Sequence, residues 1–232
     1  MKKKLFIPLF FTVLILAAWT RFHVPLTHEF SEDTSKDKLL MELIAYFMQR
    51  RHFDPKDISE DFSEDLHETF LEMLDGQKRY FLKKDIAQFD RYKYALDDEF
   101  RALQTSFFDL VYTRYLERRN ETKSFYLEIL AKPFDFNKKE EINVDYENQQ
   151  YPSTLRSKVE KWRKQLKLST LNILHSKLEE EEKLAAKDES YVPKTFEVLE
   201  KEAREITKEN MENYFSLMED VREEDWFGSY LN

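Results

Sequence analysis

The sequence predicts an all-α protein: an irregular multi-helix domain with an aromatic-rich core, preceded by an N-terminal signal or anchor helix. Three observations predict it. Only two glycines, Gly76 and Gly228, occur in 232 residues, against an ordinary usage of roughly 7%. Turn-rich β folds, dinucleotide folds and phosphate loops need more. Apolar residues recur every three or four positions over most of the chain, the period of a half-buried helix. Finally, 20 Phe and 12 Tyr supply the bulk of a core, and the length allows one large domain or two small ones.

Residues 1–20 read as a signal peptide or membrane anchor. Lys2, Lys3 and Lys4 precede an apolar run from Leu5 to Trp19, at the top of the signal-peptide range and below the ~20 residues that span a bilayer. Ala17 and Ala18 offer weak cleavage chemistry, since Ile15 or Leu16 would stand at the −3 position. The reading leans to a retained or inefficiently cleaved segment. The lysines would stay cytoplasmic and place the body outside the inner membrane. Residues 21–34 are a polar linker containing Pro25.

The helical body is expected over residues 35–232. A first helix spans 35–52, with Leu39, Leu40, Leu43, Ile44 and Phe47 on one face, and breaks at Pro55. A second spans 57–75, carrying Ile58, Phe62, Leu66, Phe70, Leu71 and Leu74. Gly76 is the expected left-handed residue past its end. Tyr80, Phe81 and Leu82 are too apolar for a free loop and form a buried elbow. Asp85 is the expected N-cap of the next helix.

That helix is expected to be long, over 85–119, its stripe running through Ile86, Phe89, Leu96, Phe100, Leu103, Phe107 and Leu110. Residues 121–131 resume it after a break near Asn120. Residues 132–152 carry two prolines and read as an extended excursion, with room for a short strand around 141–146. Helix returns over 153–187 with a seam at Leu155, Val159, Trp162 and Leu166, continued by Leu171, Leu174 and Leu178. Pro193 fits the first turn of the last long helix, whose face is Phe196, Leu199, Ala203, Ile206 and Tyr214. The chain then runs into Trp226, Phe227, Tyr230 and Leu231, which look like the start of a packed segment whose remainder is missing, since termini are usually polar and frayed.

The chemistry is mostly negative. A net charge of −9 argues against nucleic acid, which calls for a basic face. Zero cysteines exclude disulfides, thiol catalysis and thiolate metal sites, and suit an exported bacterial protein. Histidines 23, 28, 52, 67 and 175 are scattered. His67-Glu68 opens like a zinc-protease helix, but Leu71 stands where the second histidine must be. Ser35 and Lys38 match the S-x-x-K spacing, yet Thr34 or Ser35 has the simpler role of capping a helix. With 46 acidic residues, carboxylate pairs occur at every spacing. Tyr80, Phe81, Trp162 and Trp226 read as packing rather than as a peptide groove. No catalytic, cofactor-binding or metal-ligating residue is named, and no cofactor.

Several stretches, in order, resemble the N-terminal domain of the bacterial tail-specific (carboxy-terminal-processing) serine proteases. They are Arg51-His52-Phe53 with Asp57-Ile58 and Phe62-Ser63; Leu74-Asp75, Tyr80-Phe81-Leu82, Asp85-Ile86 and Phe89; Pro133-Phe134-Asp135-Phe136; Trp162 with Leu166-Lys167-Leu168; and the stretch from Arg222 to Leu231. The resemblance covers about residues 39–231. It implies a helical domain that precedes a PDZ domain and a core with a Ser–Lys dyad, all beyond Asn232, in an envelope enzyme that selects proteins by their C-terminal tails. The partners it implies are protein substrates and an envelope adaptor lipoprotein, with the membrane touched only through residues 1–20.

The sequence supports two readings. In the first, this is the non-catalytic domain of such a protease, truncated before the family's Asp-Pro-His-Thr segment, and serves as scaffold and docking surface. In the second, it is a stand-alone envelope-anchored binding or adaptor protein without protease activity. An unrelated helical envelope protein would explain the composition but not the ordered matches.

Overall fold

The computed structural model describes residues 36–50 and 58–231. The segments 1–20 and 21–34, Ser35 and the break at Pro55 lie outside the described residues. The chain divides into two compact units, Met1–Leu39 and Leu40–Asn232. Of the first, only the opening turn of a helix is described; all other described residues belong to the second.

The described residues form eight helices and no strand. These are α1 (Lys36–Arg50), α2 (Glu60–Asp75), α3 (Lys83–Phe89), α4 (Leu96–Arg101), α5 (Ser106–Leu130), α6 (Leu155–Lys187), α7 (Phe196–Asp220) and α8 (Glu223–Tyr230), with a 3-10 turn at Asp90–Tyr92 after α3. The fold is all-α, and no helix among the described residues is long and apolar enough to cross a membrane. The strand allowed around 141–146 does not form.

The core is aromatic, as the composition requires. Phe70 of α2, Phe107 and Phe108 of α5, and Phe227 and Tyr230 of α8 make one nest, with Phe70–Tyr230 ring centroids 4.8 Å apart and Phe108–Phe227 4.9 Å, both edge-on. Such arrangements set the positive ring edge against a negative face. A second nest joins Tyr80, Tyr115 and Trp162. In α1 Met41 is buried and Leu40 and Ile44 pack beside it, while Leu43 faces solvent. Leu40 and Ile44 thus keep the expected inward face, with Met41 added to it and Leu43 at its exposed edge.

Helices α6 and α7 are antiparallel. Thr170 faces Thr207 through a hydroxyl pair of 3.0 Å, and Glu181 accepts from the Lys194 N–H at 2.9 Å, so positions that rise along one helix fall along the other. Leu174, Leu199 and Ala203 form a small separate core at the far end of this hairpin.

Several expected boundaries move. Helix α2 begins at Glu60, because Ser59 caps it by accepting the Phe62 N–H and the Ile58 carbonyl is taken by Arg101. The span 85–119 is not one helix but α3, the 3-10 turn, α4 and the front of α5. Phe89, Leu96, Phe100 and Phe107 are all buried nonetheless, since short pieces can keep the face and lose the continuity.

Tertiary bonds pay for the breaks. The Asp97 N–H donates to Ser63 Oγ (2.7 Å), and the Phe107 N–H to the Glu99 carboxylate (3.1 Å). Leu103 turns the chain between α4 and α5 at φ 54°. The break near Asn120 is absent: α5 runs straight through it with Asn120 facing solvent. Helix α6 starts at Leu155 behind a Thr154 cap. Pro193 lies outside α7, whose N-cap is Thr195.

Candidate functional site

The elbow at residues 75–85 is the best-built feature. Gly76 is not its left-handed residue; its φ is −56°, and Lys78 takes that role at φ 50°. Space explains the glycine, because a Cβ there would lie 2.9 Å from the Glu72 carbonyl oxygen. The turn comes later because the buried Asp75 carboxylate gathers three successive main-chain N–H groups: Arg79 at 2.7 Å, Tyr80 at 2.9 Å and Phe81 at 2.8 Å. Burial nevertheless pushes this carboxyl up to about 6, against the pull of those N–H groups and of the Arg79 cation.

Asp85 is not an N-cap but the third residue of α3. Its carboxylate reaches back to the Leu82 N–H (2.9 Å), half of a capping box. It also takes Arg118 through two bonds of 2.7 and 2.9 Å, and Arg114 at 2.5 Å. Burial raises this carboxyl, but the bonds from Arg118, Leu82 and Arg114 more than offset that and hold it below the usual range. Lys158, fully buried, donates to the Arg118 carbonyl (2.9 Å) and to Glu121 (3.2 Å). Desolvation lowers its amine, with Glu121 opposing. This network welds α3, α5 and α6 together. Nothing in the spacing of Asp85, Arg118 and Lys158 marks them as one cluster.

The outer side of the elbow is cationic and aromatic. The Arg79 guanidinium lies 4.5 Å from the Trp162 ring and 5.4 Å from the Tyr214 ring, within cation–π range. Trp162 Nε1–H donates to the Arg79 carbonyl (2.9 Å), and Lys161 Nζ to the Lys78 carbonyl (2.7 Å). Burial pushes the Lys161 amine down to about 8; the Asp75 charge opposes this and the Lys78 and Arg79 charges reinforce it.

Residues 132–152 lie along α6 and are fastened to it by long cations. Glu140 receives Arg163 and Lys167, which hold its carboxyl far below the usual range. Lys164 donates to the Glu141 carbonyl at 2.9 Å. Two recesses result. One, about 280 Å³, lies between Ile142, Asn143 and Gln149 on one side and Ser157, Lys161 and Lys164 on the other. The second, about 340 Å³ and more apolar, is lined by Phe136, Leu171, Leu174, His175, Leu178 and Phe196.

Of the residues weighed from sequence, His67 is buried and stacks on Phe107 at 5.2 Å, and Glu68 pairs with Lys93. His175 is exposed, 3.4 Å from Glu179. His23, His28, His52 and Ser35 lie outside the described residues, and Lys38 is exposed on α1. Among the described residues no group of three or more His, Asp or Glu could hold a metal. Tyr80, Phe81 and Trp162 sit in the core, and Trp226 is half-buried against Tyr115.

The family model of the tail specific protease N-terminal domain matches residues 44–232. A tail-specific protease of Haemophilus influenzae is 25% identical over 127 residues, a match that covers 54% of this chain and 18% of that protein. The chain thus spans less than a fifth of the length of that relative.

Proposed function

The chain belongs to the tail-specific protease N-terminal domain family, and from that premise we propose that it is the non-catalytic helical domain of an envelope carboxy-terminal-processing serine protease. Its role is that of scaffold and docking surface for protein substrates and an adaptor lipoprotein. In this reading residues 1–20 export or anchor the chain, 21–34 link, and 35–232 form the domain. The Ser–Lys dyad belongs to another part of the protease. The observation that carries the scaffold role is the elbow. Its buried Asp75 ties the end of α2 to the elbow and its buried Asp85 ties α3 to α5, with bonds that engage both carboxylates within the fold.

An antibody to the purified chain, applied to the envelope fraction of source cells, tests this. The expected result is a band far larger than 28.3 kDa, whose depletion removes carboxy-terminal processing from the fraction. A band at 28.3 kDa alone overturns it. That outcome would favour a stand-alone adaptor, a reading supported by one observation: α8 packs into the same core as α2 and α5, so the unit closes a core of its own.

A further inference from the structure

Residues 137–148 cross the outside of α6 without entering either core. The chain before them is anchored, Phe134 being packed on the main core and Phe136 on the smaller one. The chain after them is anchored again. Gln149 is buried and donates to the Gln77 carbonyl at 3.1 Å, Tyr151 packs on the main core, and the Pro152 carbonyl accepts the Lys83 N–H at 2.9 Å. Between these two fixed points no apolar side chain joins a core: Ile142 and Tyr146 are half-buried outside both, and Val144 is 60% exposed. A segment with so few buried apolar contacts opens far more easily than the helices beneath it.

What holds the segment is polar. Lys164 donates to the Glu141 carbonyl at 2.9 Å, Lys167 to that of Lys138 at 3.4 Å, and Lys78 of the elbow to that of Glu147. All three are solvent-exposed bonds, which water replaces at small cost. Glu140 differs. Its side chain is 12% exposed and receives both terminal nitrogens of Arg163, with Lys167 Nζ at 2.7 Å. Asn143, Asp145 and Asn148 bond only within the segment, so among the described residues Glu140 supplies the one side-chain tie from 137–148 to α6.

We propose that residues 137–148 are a hinged strap clasped by Glu140, which lifts off α6 as one unit while both cores stay folded. Its pivots lie where the anchoring stops, at Asn137 and Asn148. Opening removes the Ile142 and Asn143 wall of the 280 Å³ recess and turns its Lys161 and Lys164 side into open surface. The inference does not depend on the protease reading above.

Pulsed dipolar spectroscopy on the full chain tests it. The chain has no cysteine, so a spin-label pair can be placed through Val144→Cys on the strap and Asn172→Cys on α6, both exposed positions outside the clasp. One short distance should dominate in this labelled parent. Adding Glu140→Gln, which removes the charge and keeps the size, should bring up a second, longer distance. Its population should exceed that in the parent about tenfold or more, the change expected from losing bonds to a charged group. The melting temperature should stay within a few degrees of the parent, because neither core is touched. Glu141→Gln alters an exposed neighbouring carboxylate and should leave the single short distance in place. A short distance that persists in Glu140→Gln overturns the proposal, as does a broad distribution already present in the parent. Equal opening in Glu141→Gln would remove Glu140 as the clasp, and a large drop in melting temperature with Glu140→Gln would make the segment part of the core rather than a strap.

Discussion

Asp85 holds two arginines and a main-chain N–H in a place without solvent access. Asp85→Ala would leave the buried Arg118 with only the partly exposed Glu121 as its anion, a loss at the low end of the roughly 3–5 kcal/mol that breaking a buried ion pair costs. Urea denaturation at neutral pH should show that loss. His67 gives a pH signature of its own. Burial lowers its imidazole below 6.5, with Asp90 opposing. The unfolded chain therefore takes up the proton more readily, and stability from this group is present above pH 6.5 and lost as pH falls below it. His67→Phe should retain the stacking on Phe107 and remove that acid-side loss. The difference between variant and parent should grow from about pH 7.5 to about pH 5; a constant difference would refute it. Neither role is legible in sequence. His67 looks like half of a zinc motif, and Asp85 like a cap, because local spacing cannot show what a side chain meets across the fold.

Helix existence was legible, and helix continuity was not. The stripe from Phe89 to Phe107 predicts which residues are inside, and all but the half-buried Leu103 are, but a three-and-four spacing survives a break that keeps the face. The turn at Leu103 carries no glycine to announce it; the Phe107 N–H spans it to reach the Glu99 carboxylate, and the tie that starts α4, Asp97 to Ser63, lies 34 positions away. Caps were no more legible: Asp85 lies inside α3, and the Thr154 cap of α6 was not among those expected. Thr154 Oγ1 accepts the Ser157 N–H at 3.1 Å and Ser157 Oγ accepts the Thr154 N–H at 3.1 Å. Thr154→Ala should cost about 1 kcal/mol, read from the melting temperature. Gly76→Ala tests the other end of the elbow. The added Cβ must displace the last turn of α2, at about 1–3 kcal/mol, whereas a merely flexible glycine would make the same change neutral or stabilising.

Across the whole molecule, the aromatic composition foretold the core but not its partners. Phe227 and Tyr230 of α8 close the nest begun by Phe70 and Phe107. Phe227→Ala should therefore cost about 3–5 kcal/mol and expose the nest to a hydrophobic dye before the main thermal transition. The recess over α6 was less legible still, since its walls come from Asn143, Gln149 and Lys161, none of which forms a motif.

The excursion beside that recess is held in a particular way. Lys164 donates to the Glu141 carbonyl, Lys167 to that of Asp135, Lys78 to that of Glu147 and Arg204 to that of Leu130. Every amino acid offers a carbonyl, so most positions between 130 and 152 can mutate without loosening the tether. The donors have no such freedom. The path of this stretch is therefore written as much in the helices that grip it as in its own side chains, of which the Glu140 carboxylate is the chief exception.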